Sequence, residues 1–188
     1  METGKKNYLK FSIALFLCLL VRLIPFRAPN VEPILATTMP ISRAYGAVAG
    51  FSFAALSILL FDIITRTIGL HTFFTVFAYG MLGLLSAYYF KKNHRLGGAS
   101  KDNKWSYVRF AIFGTLFYDA FTGLTVGPIF FHQSFIQSLI GQIPFTALHL
   151  LGNITLAFIL SPAIYKYLIK KKEKKPLLII NPLNPKII

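Results

Sequence analysis

The sequence predicts an all-α integral membrane protein, and three observations support this fold class. Of the 188 residues, 55% are hydrophobic and 15% aromatic, whereas only 14% are charged. Soluble domains carry about 25% charged residues, so this chain is short of the polar side chains that cover a water-facing surface. Several apolar stretches also approach the roughly 20 residues that a helix needs to cross the hydrocarbon core of a bilayer.

Five apolar stretches and one shorter segment define a predicted bundle of six transmembrane helices. The five stretches are residues 8–26, 44–65, 72–90, 106–123 and 136–169. The last is long enough to cross with a kink, which Pro144 predicts. Five crossings would place the two lysine-rich ends of the chain on opposite sides of the membrane, against the positive-inside rule. We therefore predict a further crossing at about residues 32–43, second in chain order and short or irregular because it contains Pro33 and Pro40.

The positive charges indicate on which side of the membrane each loop lies. Fifteen of the 20 Lys and Arg residues form three groups beside the apolar stretches: Lys5, Lys6 and Lys10; Lys91, Lys92, Arg95, Lys101 and Lys104; and Lys166, Lys170, Lys171, Lys172, Lys174, Lys175 and Lys186. Cytoplasmic loops collect cations in this way, where anionic lipids attract them. The net charge of +14 therefore indicates contact with the lipid membrane and not with nucleic acid.

This charge pattern predicts a multi-pass protein of the cell membrane with both termini in the cytoplasm. Residues 1–170 are expected to form a single membrane domain. Residues 171–188 are expected to form a cytoplasmic tail that is first basic and then apolar, and too rich in proline to span.

Polar residues recur at helical spacing within three of the apolar stretches. Each set lies on one helical face: Thr72, Thr75, Tyr79, Gly83 and Ser86; Thr115, Asp119 and Thr122; and Ser134, Ser138, Gln142, Thr146, His149 and Asn153. Because polar groups facing lipid are costly, these faces are expected to turn toward one another. For the small hydroxyls we favour interhelical hydrogen bonds, whereas for Asp119, His149 and Asn153 we favour a functional role.

A small-molecule site is predicted in the outer half of the bundle, beneath residues 27–33 and an outer loop around Gly123, Gly127 and Pro128. Its predicted substrate-binding residues are Asn30, Glu32, Asp119, Gln142, His149 and Asn153. Glu32 and Asp119 would suit a cationic or amine-bearing ligand. Pairing of these carboxylates with arginine would instead leave the site neutral, and the candidate arginines are Arg22, Arg43 and Arg109.

The sequence contains no complete catalytic motif. HExxH, GxSxG and the P-loop GxxxxGK[ST] do not occur, and Cys18 is the only cysteine, which excludes a thiolate metal cage within the chain. A metal site built from His149, Asp119 and Glu32 is a minor alternative. We therefore expect no enzymatic activity, no catalytic residue, no cofactor and no resident metal. Energy for any transport would have to come from a partner or an ion gradient.

Two runs of the sequence, "APNVEPILA…PISRAYGAVAGF" and "DAFTGLTVGPIFF…QSLIGQIPFTALHLLGN", resemble the substrate-binding (S) components of energy-coupling factor (ECF) transporters. The resemblance covers most of residues 8–168. It implies an importer of a vitamin or similar micronutrient, whose ligand is captured under outer loops such as 27–33 and 123–133. It also implies docking on a transmembrane coupling subunit and two ATPase subunits through a small-xxx-small pair on the first helix. Here that pair is Ala14 and Cys18, with cysteine in place of the family's second alanine.

Two other functions remain open. A non-transporting cell-envelope scaffold, similar to the MreD-like proteins, would use the polar faces only to hold its helices together. Its function should survive replacement of Asp119 or His149 by alanine. An intramembrane enzyme is the least favoured alternative, because no catalytic constellation is complete.

Overall fold

The computed structural model describes residues 2–25, 31–95 and 103–169, and over these ranges the chain is helical without any strand. It contains six α-helices in chain order: α1 (Glu2–Arg22), α2 (Pro33–Tyr45), α3 (Ala47–Thr65), α4 (Leu70–Arg95), α5 (Lys104–Phe131) and α6 (Phe135–Ala163). Four of them, α3 to α6, are long and apolar enough to cross a membrane. The prediction of an all-α membrane protein is therefore confirmed.

The helix α2 lies at the centre of the bundle. Residues 33–42 are all buried, and the helix contacts each of the other five. Pro33 stands at the helix start, where its missing N–H would have no intrahelical partner in any case. α2 is short, as predicted, but it is regularly helical and not irregular. At 13 residues it is about 20 Å long.

One residue, Gly46, separates α2 from α3. Its φ of 90° lies in the left-handed region that glycine adopts without steric cost. The chain can therefore reverse direction in a single step, and α3 packs back against α2.

Two glycines bring α3 and α4 into backbone contact. A Cβ placed on Gly83 would overlap the backbone carbonyl of Gly50, and one placed on Gly50 would lie 2.8 Å from the carbonyl oxygen of Gly83. Small residues at a helix crossing permit this close approach in membrane bundles.

We expect Gly83→Ala to lower the free energy of unfolding by about 1–3 kcal/mol, because the two helices must separate to admit the methyl group. Gly141→Ala is the matched control, since its Cβ would meet no atom within 4 Å. That substitution should be neutral or stabilising by up to about 1 kcal/mol, because alanine favours helix more than glycine does. Thermal unfolding in detergent, followed by circular dichroism, compares the two variants. Equal unfolding midpoints would contradict the close backbone contact.

α5 extends beyond its predicted end. The predicted outer loop around Gly123, Gly127 and Pro128 is wrong, because α5 continues through all three residues to Phe131. Both glycines lie where α6 packs closely: a Cβ on Gly123 would overlap the side chain of Gln142, and Gly127 is similarly close to α6. Here the glycines allow helix contact and do not form a turn.

The turn between α5 and α6 consists of residues 132–134. His132 adopts a left-handed conformation (φ 51°) that ends α5. Ser134 begins α6 with a capping box, in which its hydroxyl accepts from the N–H of Gln137 and the Gln137 side chain accepts from the N–H of Ser134. α6 then continues through Pro144, and a π-helical segment, Ile164–Ile169, follows it.

The bundle has two chemically different ends. At the lysine-rich end, where α1, α3 and α5 begin, Lys10 Nζ donates to the carbonyl oxygen of Ile169 (3.0 Å) and Arg43 donates to the hydroxyl of Tyr107 (2.9 Å). At the lysine-poor end, α1, α3 and α5 end and α2, α4 and α6 begin. The predicted basic tail, 171–188, lies outside the described residues.

Candidate ligand-binding site

α5 and α6 pack antiparallel, with their polar faces in contact. His149 Nδ1 lies 2.7 Å from Asp119 Oδ1, and Asn153 Nδ2 donates to Thr115 Oγ1 at 2.9 Å. All four residues are at most 3% exposed. We call this set, Thr115, Asp119, His149 and Asn153, the polar seam. The predicted meeting of these two faces is therefore confirmed.

The polar seam does not satisfy all of its own hydrogen-bond acceptors. Asp119 Oδ2 and Asn153 Oδ1 are buried and have no hydrogen-bond partner among the residues that the structure describes. Buried acceptors are nearly always paired in proteins, because an unmade hydrogen bond there is costly. The seam can therefore accept hydrogen bonds from a further donor.

An open groove of about 950 Å³ lies at the lysine-poor end, between the start of α4, the end of α5 and the start of α6. Its volume is close to the upper end of the range for small-molecule sites, roughly 300–1,000 Å³. The polar side chains that line it include Thr75, Thr122, Gln133, Gln137, Ser138 and Gln142. Aromatic rings supply much of the remaining surface, so the groove combines hydrogen-bonding groups with apolar walls, as ligand sites do.

Two aromatic residues join the groove to the polar seam. Tyr118 and Phe145 both line the groove. Their ring centroids lie 5.7 and 5.8 Å from that of His149, both in edge-to-face geometry. The buried ionisable pair therefore lies directly behind the aromatic wall of the groove.

The structure brings four of the six predicted binding residues together. Asp119, His149 and Asn153 belong to the polar seam, and Gln142 lines the groove above it. Glu32 is at the same end of the bundle but is engaged by Arg22, whose Nη2 lies 3.4 Å from Glu32 Oε1. Asn30 lies outside the described residues.

The sequence left open whether arginine pairs with a predicted ligand-binding carboxylate, and in the described part of the chain Arg22 pairs with Glu32. Arg22 is buried at the end of α1, donates to the carbonyl oxygen of Ser57 (2.9 Å) and stacks 3.8 Å from the ring centroid of Phe61. Its pairing with Glu32 connects α1 and α3 to the start of α2. Arg43 lies at the opposite end of the bundle, and Arg109 is exposed, with Nε donating to a backbone carbonyl on its own helix.

The predicted docking pair on the first helix is turned inward. Ala14 and Cys18 are each 3% exposed and belong to the hydrophobic core. Their small side chains let α1 pack closely on α2 and α3. The side of α1 that faces outward instead carries large apolar residues, among them Tyr8, Leu9, Phe16, Leu17 and Leu20.

Some residues near the site were not assigned to it from the sequence. The ring of Tyr79 contacts that of Tyr118 at a tilt of 47°, with centroids 4.4 Å apart, and Thr72 donates to Asp62 Oδ2 at 2.7 Å. The rule that singled out Asp119, an ionisable group in an apolar stretch, applies equally to Asp62. No spacing signal identifies Tyr118, because its role depends on how α5 packs on α4 and α6.

Comparison of the chain with protein-family models, with curated proteins and with solved structures finds no match. Within the described ranges, no group of three or more His, Cys, Asp and Glu side chains is arranged to hold a metal ion. The arrangement of the groove and the polar seam is therefore the basis on which a function can be proposed.

Proposed function

We propose that this chain is the substrate-binding component of an ECF-type importer, and that it captures a vitamin or similar micronutrient in the groove. The observation that carries the proposal is the groove itself, with its glutamine, hydroxyl and aromatic lining and the polar seam behind it. A purely structural set of hydrogen bonds would not require a groove of this size. Nor would it require buried acceptors that have no hydrogen-bond partner among the described residues.

In this proposal all six helices cross the cell membrane, with both termini in the cytoplasm and the groove open to the outside. The positive-inside rule supports this orientation, because lysines gather at the other end of the bundle. The length of α4 supports it as well. His71 and Lys91, at opposite ends of that helix, are 20 residues or about 30 Å apart, which matches the thickness of the hydrocarbon core. α2 is then a short crossing that the other helices enclose.

Uptake in this proposal is driven by partner proteins. The sequence has no P-loop, so ATP hydrolysis by that route must come from ATPase subunits, which a transmembrane coupling subunit would link to this chain. We expect affinity purification of the tagged chain from its own membranes to recover these three partners. Recovery of cell-envelope assembly proteins in their place would favour the scaffold function.

Ligand binding is tested with the purified full chain in detergent or nanodiscs. A panel of water-soluble vitamins and their precursors is screened for compounds that raise the midpoint of thermal unfolding. We expect at least one compound to do so, because a ligand that binds only the folded state stabilises it by mass action. A folded chain that no compound in the panel stabilises would contradict the proposal.

A further inference from the structure

Three carboxylates have described side chains within the bundle, and their surroundings differ. Glu32 is paired with Arg22, and Asp62 Oδ2 accepts a hydrogen bond from Thr72. Asp119 uses one oxygen, Oδ1, toward His149, while Oδ2 is buried without a partner in the described part of the chain. Of the two carboxylates predicted to bind ligand, Asp119 is therefore the one with a buried oxygen still able to accept a hydrogen bond.

A second buried acceptor lies beside it in the polar seam. The two hydrogen-bonded pairs, Asp119 with His149 and Thr115 with Asn153, are one helical turn apart on both helices, about 5.4 Å. Asn153 Oδ1 is also buried and unpartnered in the described part of the chain. The seam thus presents two buried acceptor oxygens on neighbouring helical turns, one of them on a carboxylate.

Two aromatic residues separate these oxygens from the groove. Tyr118 and Phe145 form the wall between the groove and His149. Ring faces attract cations. The described lining of the groove carries no Lys, Arg, Asp or Glu side chain, so the body of a ligand that lies away from His71 meets uncharged polar and apolar groups.

We propose that Asp119 Oδ2 and Asn153 Oδ1 bind the ammonium end of a small amine, whose neutral body occupies the groove. An ammonium group supplies several N–H donors and one positive charge, which matches two acceptors of which one is a carboxylate. This inference rests on the proposed function, because it requires that the groove hold a small molecule. It narrows the ligand to compounds that combine a cationic amine with a neutral body.

The test uses amines and alcohols of equal shape as probes on the full chain in detergent. The pairs are 2-phenylethylamine with 2-phenylethanol and tryptamine with tryptophol. At a saturating concentration we expect each amine to raise the unfolding midpoint by about 5 °C, and each alcohol to have a much smaller effect. In Asp119→Asn the amine and its matching alcohol should shift the unfolding midpoint equally. The difference between amine and alcohol should persist in Asp62→Asn, a matched control that removes a carboxylate at the same end of the bundle but outside the seam.

Sodium ion is a second source of compact positive charge, so sodium chloride is compared with choline chloride in the same assay. Stabilisation by sodium that depends on Asp119, without stabilisation by either amine, would overturn the assignment to an amine. Equal effects of amine and alcohol would overturn it too, as would an amine effect that survives in Asp119→Asn. If Asp119→Asn does not fold, Asn153→Ala is used in its place. In that variant the amine should raise the unfolding midpoint by less than it does in wild type, so that its effect approaches that of the alcohol.

Failure of this inference can be separated from failure of the proposed function. Neutral compounds that bind wild type but not Gly141→Trp, a variant with a bulky side chain in the groove, would support the groove as a ligand site. In that case only the amine assignment would be overturned. If neither the probes nor the vitamin panel binds the folded chain, both proposals are contradicted.

Discussion

Replacing Gly141 by tryptophan is expected to abolish ligand binding while the protein stays folded. Gly141 lines the groove, and a Cβ at this position would meet no atom within 4 Å. The first atom of a side chain therefore meets no obstacle here, and we expect an indole to extend into the space that the ligand is proposed to occupy. We expect the Kd to rise at least about 100-fold, equivalent to about 2.7 kcal/mol, as measured by isothermal titration calorimetry.

The neighbouring substitution Ile140→Trp provides the control. Ile140 is 62% exposed and does not line the groove, so the same bulk is added on the outer side of α6. The Kd of Ile140→Trp for the ligand should equal that of wild type. If Gly141→Trp bound the ligand as tightly as Ile140→Trp does, the binding site would lie somewhere other than the groove.

Replacing Arg22 by methionine is expected to cause the largest loss of stability, about 3–5 kcal/mol. The guanidinium is buried and is engaged by Glu32, by the carbonyl oxygen of Ser57 and by the ring of Phe61. Methionine keeps much of the apolar contact but removes the positive charge. The variant would leave Glu32, whose side chain is only 18% exposed, as a largely buried charge without this partner.

The double variant Arg22→Met/Glu32→Gln distinguishes this cause from simple loss of packing. Removing both charges also removes the carboxylate that has lost Arg22, so the double variant should recover much of the stability that Arg22→Met loses. Chemical denaturation in detergent gives the free energies of unfolding for this double-mutant cycle. A double variant no more stable than Arg22→Met would show that the stacking and the bond to Ser57, and not the ion pair, stabilise this end of the bundle.

Much of the fold is predictable from the sequence, because the bilayer imposes length and hydropathy on a helix that crosses it, and α3 to α6 meet both requirements. The six predicted segments correspond to the six helices, including the short α2. The polar faces of α5 and α6 were predicted to meet, and they do, because Asp119 and Asn153 find their partners there and avoid contact with lipid.

Features that depend on which helices are neighbours were not predictable. Glycine and proline indicate turns in soluble proteins, but in this bundle Gly123 and Gly127 allow α6 to approach α5. The inward position of Ala14 follows from the packing of α1 on α3, which no local pattern encodes. The pairing of Glu32 with Arg22 likewise joins residues on different helices, and periodicity within one helix cannot reveal it.

Cysteine labelling in intact cells tests most directly whether the groove faces outward and holds a small molecule. Cys18 is the only cysteine and is buried, so a Cys18→Ser background gives little unwanted reaction. A single cysteine is introduced at His71, an exposed residue of the groove lining, or at Lys91 on the same helix as the control for the other side. The reagent is a membrane-impermeant maleimide, applied with and without the best-binding compound of the panels.

We predict that His71→Cys is labelled from outside and that the bound compound slows its labelling. Lys91→Cys should react only after the membrane is made permeable. Labelling of Lys91→Cys but not His71→Cys in intact cells, or labelling of His71→Cys that the compound leaves unchanged, would contradict the account.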